Sequence, residues 1–232
     1  LPVHEYFLRR IAGREDMPPV ALISKLDVES AIELLEKAFR AETDMPLSQL
    51  DTAKLAQLNK QWTRSPVEKL YRLGCAESAA AFIALTEGDS DTLARHARAA
   101  VRYLQAAKAV ADQSQDRRRN TWHISEKLAW THIYLGQYDR AARLVSRAKA
   151  GYIVNTYAIA LLLMNTAASL RRAEEALSAA VRDGHNLASG LSSVLWAYVR
   201  ARRGQEIPPA GKTLSARNRR LAALLGVAGK AV

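Results

Sequence analysis

Residues Thr121–Gly151, TWHISEKLAWTHIYLGQYDRAARLVSRAKAG, hold two amphipathic helical patterns that meet at a Gly136-Gln137-Tyr138 turn. Small residues stand where two packed helices have to touch: Ala129 in the first pattern, Ala141 and Ala148 in the second. A helix hairpin written in this way is the unit of a repeat architecture. The stretch names neither a reaction nor a ligand, and it points to an all-helical interaction module rather than an enzyme.

The rest of the chain agrees with that reading. Its 232 residues are 49% hydrophobic and 25% charged, a globular composition long enough to bury a core. With 11 Gly, 7 Pro and little Val/Ile/Thr alternation, there is scant material for a sheet. The single cysteine, Cys75, excludes an internal disulfide, so the fold does not depend on an oxidising compartment. The longest apolar run, Tyr157–Met164, falls far short of the roughly 20 residues that span a bilayer and reads as a buried helix. The N-terminal LPVHEYFLRRIAG lacks an initiator Met and the order of a signal peptide, and suggests a trimmed or processed chain. The expected location is cytoplasmic, with periplasmic or secretion-associated sites left open.

Turn signals divide the chain into helices. Asp27 or Ser30 is expected to cap VESAIELLEKAFRAE, which the Asp44-Met45-Pro46 turn ends, and Ser48 to start the next helix. Ser65-Pro66 opens VEKLYRLGCAESAAAFIALTEG, and Gly88-Asp89-Ser90 separates it from the long helix DTLARHARAAVRYLQAAKAVAD. After the polar QSQDRRRN link and the opening hairpin come YIVNTYAIALLLMNTAASL, AEEALSAAVRDG and LASGLSSVLWAYVRARRG, then a Pro208-Pro209 turn and LSARNRRLAALLGV. The implied organisation is an N-terminal extension over 1–24, a helical-repeat domain over 25–207 and a basic capping helix over 208–232.

Residues 122–153 resemble a tetratricopeptide (TPR) repeat. Leu128 and Ala129 precede the Gly136/Tyr138 turn, and Ala141, Val145 and Ala148 follow at intervals of four and three. Ala173, Leu177 and Ala180 repeat that spacing, and Ala173 follows Ala141 by 32 residues, close to the family period of about 34. The second unit departs from the pattern, with Ala168 and Leu170 where Gly and Tyr belong. The 75–105 hairpin fits only with its turn shifted by a residue, and no unit ends in the usual proline. The resemblance implies a right-handed α-solenoid of antiparallel helix hairpins; the alternative is an irregular helical bundle.

First helices of such an array line a concave face, which implies a partner-binding stripe of His123, Glu126, Trp130 and Tyr134, joined by Asn155, Leu162 and Asn165 from the next repeat. A large aromatic flanked by polar groups suits capture of a peptide or helix; the competing reading makes Trp130 and Tyr134 core. Family members that hold chaperone C-termini use a Lys/Asn clamp, and Trp130 and Ile159 occupy the two asparagine positions here, so that ligand class is set aside. The expected role is a scaffold or adaptor, of the kind found in bacterial secretion, pilus or regulatory assemblies.

Charge adds a second theme. The net charge is +11, with 7 Lys/Arg against 10 Asp/Glu over residues 1–58 and 11 against 4 over 171–232, which favours an acidic partner. Arg200, Arg202 and Arg203 close a helix, where cations suit the helix dipole. Arg217, Arg219 and Arg220 lie on a basic amphipathic segment suited to capping. Arg117, Arg118 and Arg119 precede a helix N-terminus, where the dipole disfavours them, and are the preferred electrostatic contact. A pI near 10 makes nucleic-acid association, or the sensory or oligomerisation half of a transcriptional regulator, the rival reading.

No catalytic or cofactor constellation is legible. Gly211-Lys212-Thr213 resembles the end of a phosphate-binding loop, but Glu206 stands where a Gly is required and Pro208 and Pro209 remove amide donors. His123 and Glu126 share a helical face without a second pair to complete a metal site. Cys75 reads as a small buried hydrophobe, and His4, His96 and His185 have no companions in the sequence.

Overall fold

The structure, a computed structural model, describes residues 2–14, 25–59, 65–114, 121–147, 151–182, 189–207 and 214–228. Every regular element among them is a helix and none is a strand, so the chain is all-α as its composition implies. No helix among the described residues is long and apolar enough to cross a membrane.

The chain forms two compact units, Leu22–Gln137 and Leu1–Ala21 with Tyr138–Val232. The first contains α2 (Lys25–Thr43), α3 (Thr52–Leu58), α4 (Pro66–Glu87), α5 (Ser90–Gln113) and α6 (Trp122–Tyr134). The second contains α1 (Pro2–Ile11), α7 (Tyr138–Val145), α8 (Gly151–Met164), α9 (Ala167–Arg182), α10 (Ser189–Arg202) and α11 (Ala216–Leu224). This division differs from the three parts expected from sequence. The 1–24 stretch contains α1, whose Phe7 and Leu8 are fully buried and which packs on α8 and α11. The boundary after Gln137 falls in the turn of the best-matching repeat, placing its two helices in different units.

In the α2–α6 unit, α4 and α5 form the most extensive helix pair, with α2 on α4 and α6 on both. Their close approach requires a glycine: a Cβ on Gly74 would lie 2.5 Å from Leu104 Cγ. Pro66 occupies the first turn of α4, where its missing N–H costs nothing. At the far end Gly88 adopts φ +75, letting Asp89 N–H reach Ala84 O at 3.0 Å and close the last turn. The Asp89 carboxylate then accepts from Thr92 N–H at 3.0 Å and caps α5; that bond holds its carboxyl below the usual range.

Two starts differ from the sequence expectation. Asp51, not Ser48, caps the helix after the Met45-Pro46 turn, accepting from Ala53 and Lys54 N–H at 3.0 Å, and α2 begins at Lys25, ahead of Asp27 and Ser30. The 48–51 segment is instead strapped down by Arg102 of α5, whose Nη2 donates to the Leu47 and Ser48 carbonyls at 2.6 Å.

In the other unit α8 packs on α7, α9 and α10, with α9 on α10 and α11 on α10 and α1. The apolar run read as a buried helix is α8, in which Ile153–Leu162 are buried throughout. It ends at Asn165, which takes φ +50, and α9 starts two residues later. Thr166 and Ser169 bond reciprocally: Thr166 N–H donates to Ser169 Oγ at 3.0 Å and Ser169 N–H to Thr166 Oγ1 at 3.1 Å, a capping box with serine in place of glutamate. The turn between α8 and α9 therefore lies at Asn165-Thr166, not at Ala168–Leu170, where the resemblance placed it.

Candidate functional site

The stripe expected to floor a groove is divided: His123, Glu126, Trp130 and Tyr134 belong to the α2–α6 unit, and Asn155, Leu162 and Asn165 to the other. His123 is exposed and Glu126 half-buried near the start of α6. Further along the helix the side chains turn inward. Trp130 is 3% exposed, its Nε1–H directed at Glu126 Oε1 at 3.4 Å, and Tyr134 is 7% exposed, with its ring 6.3 Å from Trp130 and 5.5 Å from Phe82 of α4. Burial pushes the Tyr134 phenol far above its ordinary range, against the pull of its hydrogen bond with Ser78. The expectation that Trp130 and Tyr134 floor an open groove is corrected accordingly: both rings are core.

Asn155 and Leu162 are likewise interior. Asn155 Oδ1 accepts from Ser192 Oγ at 2.7 Å, tying α8 to α10, and Leu162 lies inside α8's apolar surround. Asn165 is exposed at the turn, where its Oδ1 accepts from Arg202 Nη2 at 2.8 Å. Of the expected stripe, His123, Glu126 and Asn165 keep accessible surface. Arg117, Arg118 and Arg119 lie outside the described residues, as do His185 and the Gly211-Lys212-Thr213 stretch.

The helix-ending arginines do more than complement a dipole. Arg200 Nη1 donates to Glu174 Oε1 at 3.0 Å while Arg203 pairs with the other oxygen of the same carboxylate, locking α10 to α9. Arg200 also stacks on Trp196, its guanidinium carbon 5.5 Å from the ring. Arg202 bonds the Tyr198 hydroxyl at 3.0 Å, and Arg172 bonds that of Tyr157 at 3.0 Å. On α11, Leu221, Leu224 and Leu225 are buried and Arg217, Arg219 and Arg220 are exposed, Arg220 reaching Glu5 of α1 at 3.1 Å.

Two polar contacts in the α2–α6 unit escaped the sequence reading. His96 of α5, given no companion, has its Nδ1 2.6 Å from Glu77 Oε2 of α4, and the Glu77 residue is only 6% exposed. Burial raises the Glu77 carboxyl above its usual range, while its bond to His96 and the charge of Arg95 act downward and Glu36 of α2 adds to the rise. Next to it, Thr131 Oγ1 of α6 donates to Ser78 Oγ at 3.1 Å. The signal was Glu77 itself, the sole charge between Arg72 and Glu87, since a buried carboxylate demands a partner.

These contacts bind helices to one another rather than gather reactive groups. Among the described residues no three His, Cys, Asp or Glu side chains assemble as a metal site requires; His132 Nδ1 sits 2.8 Å from Gln137 Oε1 instead. Cys75 is half-buried, not sealed, and desolvation lifts its thiol above the ordinary value despite Lys127, so it is not an activated thiolate. Tyr71 hydrogen-bonds this thiol, and Glu126 and Lys127 of α6 act on it through space, which brings α4 and α6 together on one half-buried face. No family profile matches the sequence, and neither the curated proteins nor the solved structures contain a match.

Proposed function

We propose that the chain is an interaction scaffold with degenerate TPR-like repeats, which holds a helix or extended segment of another protein along its first helices. The observation that carries this reading is a packing pattern used twice. In one unit α4, α5 and α6 each touch the other two, and in the other unit α8, α9 and α10 do the same. Within each unit two first helices that touch, α4 with α6 and α8 with α10, offer a shared first-helix surface to a partner.

On this reading the contact face of the α2–α6 unit is built from Tyr71 and Arg72 of α4 with His123, Glu126 and Lys127 of α6, all exposed or half-buried. Tyr71 takes the aromatic role assigned from sequence to Trp130, and the mixed charges fix the direction of the bound segment. In the other unit the half-buried Trp196, stacked by Arg200, is the corresponding aromatic. A photo-crosslinking residue placed at His123 or Lys127 in the native host should trap one protein that the same residue at Arg98, on the exposed side of α5, does not. Equal labelling from both faces, or none from α6, removes this reading.

A second reading, binding of an acidic polymer, rests on the exposed Arg95 and Arg98 of α5, with Arg102 a turn further on but bonded to the Leu47 and Ser48 carbonyls. It requires retention of single- or double-stranded nucleic acid at low salt that falls steeply as salt rises. No retention at low ionic strength dismisses it.

A further inference from the structure

The outer face of α2 carries the two most exposed large hydrophobic side chains among the described residues, Leu26 at 71% and Leu34 at 69%. The inner face is accounted for: Val28, Phe39 and Thr43 are buried, Ile32 packs against the Val28–Ala80–Ile83 cluster, and the helix lies on α4. An isolated surface leucine needs no explanation. These two, however, stand on one stripe with Ser30, Lys37 and Ala41, at intervals of four, four, three and four, all exposed.

The charges beside the stripe have an order. Glu29, Glu33, Lys37 and Arg40 follow one another at intervals of four, four and three, all exposed, acidic in the first half and basic in the second. Reversing such a helix end for end lays its acidic half along its own basic half, and in an antiparallel pair the same flank of each helix meets. We propose that α2 is the site at which two copies of this chain associate, as an antiparallel pair of α2 helices about a two-fold axis. The contact is isologous, and a self-complementary patch is what that symmetry requires.

With Leu26 of each copy over Ala41 of the other, the axis passes beside Leu34 and the two Leu34 side chains meet. Glu29 and Glu33 then come within a turn of the other copy's Arg40 and Lys37. The small Ser30 and Ala41 let the backbones approach. A pair of 19-residue helices, each about 28 Å long, covers less than the roughly 1,600 Å² of a standard interface, so the association is weak and concentration-dependent. Within one copy Glu33 and Lys37 also stand four apart, a pairing that stabilises the helix itself; the charge-exchange experiment separates the two roles.

Sedimentation equilibrium of the full chain, at concentrations up to about 1 mM, should show a monomer–dimer equilibrium. Leu34→Glu should weaken it by about tenfold or more, because two carboxylates then meet at the axis. The variants Glu29→Lys/Glu33→Lys and Lys37→Glu/Arg40→Glu should each lose self-association, and their equimolar mixture should regain it as a heterodimer. All these side chains are exposed, so helical content and melting temperature should hold, and a variant that fails this control is replaced by the other charge pair. A wild-type monomer throughout, a dimer indifferent to Leu34→Glu, or a mixture no more associated than its components overturns the proposal.

Discussion

In each unit three consecutive helices touch one another, and the two units secure those contacts by different chemistry. In the α2–α6 unit the seams hold polar groups inside: Glu77 with His96 between α4 and α5, Ser78 with Thr131 between α4 and α6. In the α7–α11 unit Ser192 bonds Asn155 between α10 and α8 and the Tyr198 hydroxyl donates to Ile11 O at 3.1 Å, while around the rim arginines tie Glu174, Tyr157 and Asn165. The contrast teaches how to read the +11 charge. Arg172, Arg200, Arg202 and Arg203 hold helices together, so these four charges of the basic C-terminal part have structural partners.

The largest effect expected concerns the aromatic core of the α2–α6 unit. Trp130→Ala removes a ring that is 3% exposed and packed near Tyr134, and should cost about 3–5 kcal/mol in urea denaturation. Such a loss would leave the substitution useless as a probe of binding, whereas Lys127→Ala on the open face should leave stability within about 0.5 kcal/mol. A Trp130→Ala loss under about 1 kcal/mol would mean that the indole is accessible after all.

In the α7–α11 unit the corresponding tie is Glu174. Glu174→Ala strands Arg200 and Arg203, both about a quarter exposed, and should cost roughly 1–3 kcal/mol, read by thermal melting. The exposed Arg143–Asp139 pair of α7 offers the contrast: Arg143→Ala should shift stability by no more than about 0.5 kcal/mol. Equal losses at the two sites would erase the distinction between tying and solvated arginines.

The interior carboxylate gives the α2–α6 unit a pH dependence of definite sign. Burial raises the folded Glu77 carboxyl above its ordinary 4.5, so the folded chain binds that proton more tightly than the unfolded one. The stability this confers is complete below the ordinary value and is lost as pH rises through the folded one. Glu77→Gln should flatten this segment of the stability–pH curve. His96→Ala, by removing the partner that pulls the carboxyl down, should steepen it. A curve that Glu77→Gln leaves unaltered above pH 4.5 would show that the carboxyl titrates as it does in water.

How far these features were legible in the sequence follows from the range of the forces involved. Caps and turns are local: Ser65-Pro66, Gly88-Asp89 and Gly136 each carry a residue type suited to the backbone conformation there, and those boundaries were readable. The helical class followed from composition. Burial of Trp130 was not readable, because period 3.6 places a residue on a face without saying which face is covered, and α6 is interior along nearly its whole second half. The Glu77–His96 and Glu174–Arg200 contacts join residues 19 and 26 apart on different helices, beyond any single-helix pattern. His123 and Glu126 keep accessible surface in the first half of α6, where Trp122 and Lys127 are also only half-buried, before the helix turns interior from Leu128 on.

The smallest effect tests why the turn after α6 was recognisable in the sequence and the turn after α8 was not. Gly136 and Asn165 play the same part: each takes positive φ, +71 and +50, at the end of one helix, and the next helix starts two residues later. A Cβ on Gly136 would meet nothing within 4 Å, so Gly136→Ala should cost only the left-handed backbone strain, about 1 kcal/mol. Asn165→Ala should cost a similar amount, because alanine lacks the local hydrogen bonding that lets asparagine adopt this conformation. Asn165→Asp keeps both that tolerance and an acceptor for Arg202, and should lose less than half as much in the same urea titrations. Matching losses at 136 and 165 would show one kind of turn that the sequence writes with different letters; an Asn165→Ala protein as stable as the parent would leave the strained conformation as a feature of Gly136 alone.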